Sequence, residues 1–323
     1  MKPLNQEEGT VSSIVRLTKD IESLGVKKGD HIGLGVSFKS VGHVEGGPLS
    51  FIETLLDVVG TEGTIMIPTY TQCFPLLKIK KKLVNYIFDY RSTPSNTGLV
   101  SETLRKYTGA IRSKHPTNSV AAIGKYAAFM TIGHDQNASA YGPYSKLAQI
   151  SGKILCIGIG DKLVGIRHEA QSLAGLLDIV PYRLGVEYLD EKGQLRLFVR
   201  RDKGGCTKEL PKLITILRES GFVRDGKIGL ANSILLPARE ALENMASTLK
   251  NKPALNLCDN ISCLWCRELE RRLNLYKTID NPKYYQRNII VSSSIAFLNR
   301  LRLIDYRVDS IAAIFLNRWS RKK

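Results

Sequence analysis

The chain has 323 residues, of which 43% are hydrophobic and 24% charged, so its composition excludes wholesale disorder. Its 47 Lys and Arg outnumber 30 Asp and Glu, and the formal net charge of +17 favours anionic partners: nucleic acid, lipid headgroups or phosphorylated small molecules. Six cysteines are too few for a disulfide scaffold, and the sequence pattern predicts neither an export signal nor a membrane-spanning segment. The sequence therefore predicts a cytoplasmic protein, with contact to a membrane surface left open.

Helical and strand patterns alternate through the first 250 residues. In chain order the pattern predicts a helix over 14–24, a strand over 31–37, a helix over 47–59, strands over 64–68, 120–123 and 154–159, a helix over 166–177, and a hairpin of 182–189 with 194–200. A basic run over 78–82 is typical of a solvated loop or helix face. This alternation predicts a layered α/β domain with an added antiparallel hairpin.

Composition changes near residue 251. The residues from there to the end carry 14 basic and 6 acidic side chains and contribute +8 of the net charge. We therefore predict a domain over 1–255 and a basic helical extension over 256–323. Its last part, 290–323, has an apolar stripe among arginines, which predicts packing on the parent domain or a second subunit, or contact with an anionic membrane. The tail carries the adjacent pair Tyr284 and Tyr285, but no nucleic-acid-binding motif accompanies them, so no nucleic-acid partner is expected.

Eight segments, in order, resemble the aminoglycoside 3-N-acetyltransferase family, whose α/β fold differs from that of the GNAT acetyltransferases. They are GVKKGD at 25–30, SVGHVEGG at 40–47, GTEGTIMIPTYT at 60–71, FDYRSTPSNTG at 88–98, RSKHPTNSVAA at 112–122, YGPYS at 141–145, GIG at 158–160 followed by His168, and GKIGLA at 226–231. The resemblance implies a central mixed sheet flanked by helices. It also implies transfer of an acetyl group from acetyl-CoA to a primary amine of a small-molecule amino-sugar acceptor.

The resemblance also implies which residues do the chemistry. The general base is predicted to be His168, because a histidine can take a proton near neutral pH and this one follows the end of a buried strand. The family places an acid three residues after this histidine, whereas this chain has Gln171 there and Glu169 beside the histidine. Gln171 can still accept a hydrogen bond, but it adds no negative charge.

Two further positions depart from the family pattern. Asn118 stands where the family usually has a histidine, and Gly35-Val36-Ser37 replaces a His-Ser-Ser sequence. His115 remains either as a pocket residue or as an ordinary polar loop residue. These departures leave open a catalytically silent relative that binds a partner or a membrane.

The remaining expected contacts follow from the matched motifs. The acceptor is expected to meet Thr69, Thr71, His115, Asn118, Glu169 and Gln171. CoA is expected at Ser37, Lys39, Ser40, Val41, Gly42, Thr93, Ser95, Gly98 and Ser119. The helix that follows Gly98 has free N–H groups suited to phosphate, although Thr93 or Ser95 could equally be a plain N-cap.

Three cysteines lie close together in the sequence, at Cys258, Cys263 and Cys266. A structural zinc site needs four ligands, no histidine follows residue 168, and Cys206 could serve only if the chain folds back. This shortage favours buried free thiols, so no metal is expected.

The net charge also bears on the acceptor. A positive protein repels polycations, and the first 250 residues still carry +9. Charge therefore favours a nucleotide-linked amino sugar of polysaccharide biosynthesis, or another acceptor that is not a polycation. The alternative is an aminoglycoside antibiotic.

Overall fold

The computed structural model describes residues 13–161, 163, 165–177, 184–200, 206, 210–258, 260 and 263–274. The chain divides into two compact units. The first comprises Met1–Thr71, Tyr90–Ile166 and Leu217–Leu242, and the second comprises Gln72–Asp89, Arg167–Ile216 and Glu243–Lys323.

The helices and strands are numbered separately in chain order. The helices are α1 (Ile14–Leu24), α2 (Phe38–Val41), α3 (Gly47–Val59), α4 (Leu76–Lys80), α5 (Leu99–Lys106), α6 (Ala127–Thr131), α7 (Gly142–Gln149), α8 (Ile166–Leu173), α9 (Leu210–Glu219), α10 (Ala238–Asn251) and α11 (Leu264–Arg272), with a 3-10 turn over Pro253–Asn256. The strands are β1 (His31–Val36), β2 (Thr64–Pro68), β3 (Phe74–Pro75), β4 (Ile87–Phe88), β5 (Ile111–Arg112), β6 (Val120–Gly124), β7 (Lys153–Ile157), β8 (Leu184–Leu189), β9 (Leu195–Val199), β10 (Arg224–Ile228) and β11 (Ala231–Pro237).

The first unit is built on a seven-stranded mixed sheet in the order β10-β11-β7-β1-β2-β6-β5. The central strands β7, β1 and β2 are parallel, and the strands on either side of them are antiparallel. Apolar faces of α1 and α3, including Leu17 and Phe51, join Ile32 and Leu34 of β1 in one buried cluster. Parallel strands covered by helices are nearly continuous in hydrophobicity, which explains the uniformly buried β2. The predicted mixed α/β fold is confirmed.

The second unit has its own small sheet, in which β8 is the shared strand. β9 pairs antiparallel with β8 and forms the predicted hairpin, and the short strands β3 and β4 also pair with β8. The basic run over 78–82 begins inside α4 and continues past its end, as a solvated face does. No helix among the described residues is long and apolar enough to cross a membrane.

Some boundaries differ from the prediction. Helix α8 ends at Leu173, four residues before the predicted end, because Gly175 takes a left-handed φ of 73°. Neither unit ends at residue 255, and residues 256–274 belong to the second unit together with Arg167–Ile216. The separate extension over 256–323 stays a prediction, and its segment 290–323 lies outside the described residues.

Candidate active site

In the first unit, the carboxyl ends of β1 and β7 lie side by side, since Val36 pairs with Ile157 in parallel register. The Ser37 N–H donates to the Ile157 carbonyl at 2.9 Å, and the Ser37 and Ser40 hydroxyl oxygens lie 2.8 Å apart. The Ser40 hydroxyl donates in turn to the Gly158 carbonyl at 3.3 Å. Ligands of α/β sheets often bind outside the carboxyl ends of the strands, and this turn lies at the carboxyl ends of β1 and β7.

Three other residues of this turn were predicted to contact CoA. Lys39 is exposed on α2, whereas Val41 is buried and its carbonyl accepts the Leu230 N–H at 3.0 Å. The Gly42 N–H donates to the Lys39 carbonyl at 3.4 Å, a long bond that a stronger acceptor could replace. Lys39 and the Gly42 N–H thus remain available to a ligand at the surface of the first unit.

A half-buried arginine, Arg112, organises several predicted site residues of the first unit. Its guanidinium donates to the Ser119 hydroxyl at 3.1 Å and to the carbonyls of Thr69 at 3.1 Å and Thr93 at 2.5 Å. The Thr69 and Ser119 hydroxyl oxygens lie 3.0 Å apart, and the Thr71 hydroxyl donates to a backbone carbonyl at 2.7 Å. These hydroxyls therefore fix the backbone, and their contact with a ligand stays a prediction. Sequence reasoning gave Arg112 no role although it lies in a matched segment.

The segment before α5 differs from both sequence interpretations. Gly98, and neither Thr93 nor Ser95, is the N-cap residue of α5. The Ser95 N–H donates to the Glu102 carboxylate at 2.8 Å, and Arg105 donates to the same carboxylate at 2.7 Å. The Arg105 hydrogen bond is the main reason why the pKa of Glu102 falls to about 2. A phosphate at this helix start would meet that carboxylate, so the geometry does not favour Ser95 as a phosphate contact.

His115 has a structural role in the first unit. Its Nδ1 accepts the backbone N–H groups of Asn118 at 3.0 Å and Thr117 at 3.3 Å, and its ring stacks on His134 with centroids 5.0 Å apart. Both rings are buried, and burial lowers the pKa of His134 to about 4. His115 therefore holds the turn that carries Asn118, which favours the loop interpretation over the pocket interpretation.

In the second unit, His168 lies near the start of α8 and is almost fully buried. Its Nδ1 lies 2.7 Å from Gln171 Oε1, and since an amide oxygen only accepts, Nδ1 carries the proton. The other ring nitrogen, Nε2, accepts from Arg167 Nε at 3.3 Å. Burial, and next the charge of Arg167, lower the pKa of His168 to about 3. The imidazole is therefore neutral at pH 7, with Nε2 as the acceptor of a long hydrogen bond from Arg167.

Gln171 itself is fully buried, and its amide nitrogen has its own hydrogen-bond partner. Its Nε2 donates to Asn256 Oδ1 at 2.7 Å. The sequence predicted that Gln171 can accept a hydrogen bond from this histidine, and the distance agrees, but Arg167 and Asn256 were missed. Glu169 is also buried on α8. Arg167 adjoins the histidine in the sequence, whereas Asn256 lies 85 residues from Gln171 and no local pattern points to it.

All six cysteines lie among the described residues, and none forms a disulfide. The sulfur atoms of four of them, Cys206, Cys258, Cys263 and Cys266, lie within 4.8 Å of one another. The shortage of ligands that argued against a metal therefore does not hold, because the Cys206 sulfur lies with the other three.

Comparison with known proteins assigns the class. The family model described as aminoglycoside 3-N-acetyltransferase matches residues 34–250, and the chain belongs to that family. This membership confirms the predicted family and the prediction of an acetyl-CoA-dependent N-acetyltransferase.

Individual relatives cover most of the chain. Aminoglycoside N(3)-acetyltransferase VII of Streptomyces paromomycinus is 27% identical over 77% of this chain and 95% of its own length. The solved structure "AAC-IIIb binary with CoASH" has 25% identity and a TM-score of 0.66 over 75% of this chain and 98% of its own. "AAC-VIa bound to Sisomicin" matches with 25% identity and a TM-score of 0.66 over 75% and 99%.

Proposed function

We propose that this chain acetylates the 3-amino group of an aminoglycoside, with acetyl-CoA as donor and His168 as general base. The observation that carries the proposal is the state of His168 in a chain of this family. A neutral ring, with Nδ1–H on Gln171 and a lone pair at Nε2, is the form that accepts a proton.

The reaction removes two protons from the acceptor's ammonium and exchanges a C–S bond for a C–N bond. His168 Nε2 takes the first proton, and the free amine attacks the thioester carbonyl. The C–N bond forms, the nitrogen loses its second proton, and the C–S bond breaks. The CoA thiolate takes up one of the two protons, and the other is released to solvent. Arg167 must give up its hydrogen bond to Nε2 when the amine arrives. Movement of the guanidinium away from the ring would weaken the second cause of the low pKa and make His168 a stronger base.

The turn after β1 is the proposed CoA site. The Ser37–Ser40 pair holds the turn against β7, the exposed Lys39 supplies a positive charge for a phosphate, and the Gly42 N–H can turn to a carbonyl oxygen. The relative solved with CoASH supports this co-substrate.

The acceptor assignment rests on the relatives, several of which are named for aminoglycosides, one of them solved with sisomicin. The net charge of +17 favours instead an acceptor that is not a polycation, such as a nucleotide-linked amino sugar. No relative supports that sugar. Net charge sums over the whole surface, whereas an acceptor responds to the local field of its pocket.

The discriminating experiment compares acceptors. We expect kcat/KM for sisomicin or gentamicin to exceed that for a UDP- or dTDP-linked amino sugar at least tenfold, with mass spectrometry and NMR locating the acetyl group on the 3-amine. The same assays at two salt concentrations show whether the positive surface slows the polycation. Preference for the nucleotide sugar would overturn the acceptor assignment. Absence of CoA release with either class, despite CoA binding, would overturn the enzymatic proposal and favour the silent relative.

A further inference from the structure

Four cysteines of the second unit meet at one place although they come from separate parts of the chain. Cys206 lies beyond the β8–β9 hairpin, and Cys258 follows the 3-10 turn over Pro253–Asn256. Cys263 is the N-cap residue of α11, and Cys266 lies in the first turn of that helix. The fold of the second unit thus brings four potential metal ligands together.

The spacing of the sulfur atoms suits one metal ion. All four lie within 4.8 Å of one another, and the Cys258 and Cys266 sulfurs are 3.5 Å apart. A tetrahedral zinc ion with Zn–S bonds of about 2.3 Å places its sulfur ligands about 3.8 Å apart. A disulfide needs about 2.05 Å, so the observed spacing fits shared coordination better than a covalent bond.

Two features place the positive ends of backbone dipoles beside the sulfur atoms of Cys263 and Cys266. The Cys258 N–H donates to Cys266 Sγ at 3.2 Å, and an N–H hydrogen bond favours the charged form of sulfur. Cys263 and Cys266 also lie at the N-terminus of α11, where the helix dipole stabilises negative charge.

A buried ion pair between Arg267 and Glu270 contacts the backbone of Cys258, one of the four cysteines. Arg267 Nη2 donates to the Cys258 carbonyl at 2.9 Å, and Arg267 Nη1 pairs with Glu270 Oε2 at 2.6 Å. Both side chains are almost fully buried. Partners of this kind orient the ligands of a metal site.

We propose that Cys206, Cys258, Cys263 and Cys266 bind one structural zinc ion. Binding forms four Zn–S bonds and releases the four thiol protons to solvent, so the site carries a net charge of about −2. Because four protein ligands fill the tetrahedron, no position stays open for substrate, and the ion has no part in acetyl transfer. It ties Cys206 to α11. Asn256, which holds Gln171, lies two residues before the ligand Cys258.

The test uses the full chain produced with zinc present. We expect elemental analysis to find about one zinc per chain, and expect Cys206→Ser to lower this content severalfold. Cys206→His should retain zinc, because imidazole is also a zinc ligand. Cys73→Ser is the matched control, since Cys73 lies in the same unit but outside the cluster, and it should keep the full content.

A second measurement uses the wild-type protein, so its main result does not require any variant to fold. Wild-type protein stripped by a chelator and reconstituted with Co²⁺ should show the thiolate-to-metal charge-transfer and d–d absorption bands of tetrahedral sulfur coordination. Cys206→His should shift these bands, and Cys73→Ser should not. Lack of zinc or cobalt binding by the wild type, iron in place of zinc, or fewer than six free thiols in the denatured protein would overturn the proposal. Full zinc content in Cys206→Ser would overturn the assignment of the fourth ligand. None of these outcomes depends on which amino sugar the protein acetylates.

Discussion

At the scale of single residues, Gln171 orients His168 without adding a charge. The amide accepts the Nδ1 proton at 2.7 Å and so fixes the ring and its tautomer, but it gives the imidazolium no counter-charge. Burial, and after it the charge of Arg167 on the other side, lowers the pKa of His168. The histidine of the resting protein is therefore well oriented but weakly basic.

Gln171→Glu should restore the missing charge. A carboxylate beside Nδ1 favours the imidazolium, so we expect the acidic limb of the kcat/KM–pH profile to move to higher pH by about one unit or more. Gln171→Leu removes the acceptor of the Nδ1 proton and should lower kcat about tenfold or more. Its remaining activity should show the acidic limb at the same pH as in the wild type. An unchanged pH profile in Gln171→Glu would show that residue 171 does not act through His168.

Two buried histidines predict how stability depends on pH. The pKa values of His168 and His134 fall to about 3 and about 4 in the folded chain, from an ordinary value of 6.5. Between those values and 6.5 the unfolded chain binds more protons than the folded chain. The contribution of each neutral histidine to the free energy of unfolding is therefore complete above pH 6.5 and is lost as the pH falls toward the pKa in the folded chain. Each histidine contributes a slope of about 1.4 kcal/mol per pH unit inside its window.

Urea unfolding between pH 4 and pH 7.5 measures this slope. His134→Gln should lower stability at pH 7 but flatten its dependence on pH, whereas His43→Gln, at an exposed position, should leave the curve unchanged. Stability that is constant across this range would contradict the buried neutral state of these rings.

At the scale of elements, the close approach of the β1 and β7 ends shapes the proposed CoA turn. Gly158 has a φ of 64°, and a Cβ there would lie 2.5 Å from the Ser40 Cβ. Gly160 has a similar φ of 59°, but a Cβ there would meet nothing within 4 Å. An alanine at either position would take a strained left-handed φ, but only at position 158 would its Cβ meet Ser40.

Gly158→Ala should therefore displace Ser40 and raise KM for acetyl-CoA about tenfold, with a lower Tm. Gly160→Ala carries the same cost of a left-handed alanine, about 1–2 kcal/mol, without that contact. Steady-state kinetics at saturating acceptor compare the two variants. Equal effects on KM would remove Ser40 and its turn from the CoA site.

Elements with strong periodicity could be predicted from the sequence. Helix α1 and strand β2 match their predicted bounds, because an amphipathic stripe and a buried run are local signals. Strand β10 was missed because its sequence, RDGKI, is exposed at four of five positions and is held by pairing with β11. Such pairing leaves no mark in the local pattern.

At the scale of the whole molecule, residues distant in sequence complete the sites that local motifs begin. Three cysteines were visible as a cluster, but Cys206 joins them only through the fold of the second unit. In the same way, Asn256 reaches Gln171 across 85 residues. A single sequence shows which side chains are present, but it does not show which residues far apart in the chain come into contact.

The proposed zinc ion should also contribute to global stability. A ligand that binds only the folded chain stabilises it by RT ln(1 + [L]/Kd), about 4 kcal/mol when its concentration is a thousandfold above Kd. We expect a strong chelator to lower Tm by several degrees, and added zinc to restore it. The same chelator should have little effect on Cys206→Ser. An equal effect on both proteins would show that the chelator acts elsewhere.

The most direct test of the central claim is the turnover of His168→Ala with acetyl-CoA and sisomicin. Loss of the general base should lower kcat by about 10²–10⁴ while the calorimetric Kd for CoA stays within a few-fold and the far-UV spectrum is unchanged. Near-wild-type kcat in a folded His168→Ala variant would contradict the account.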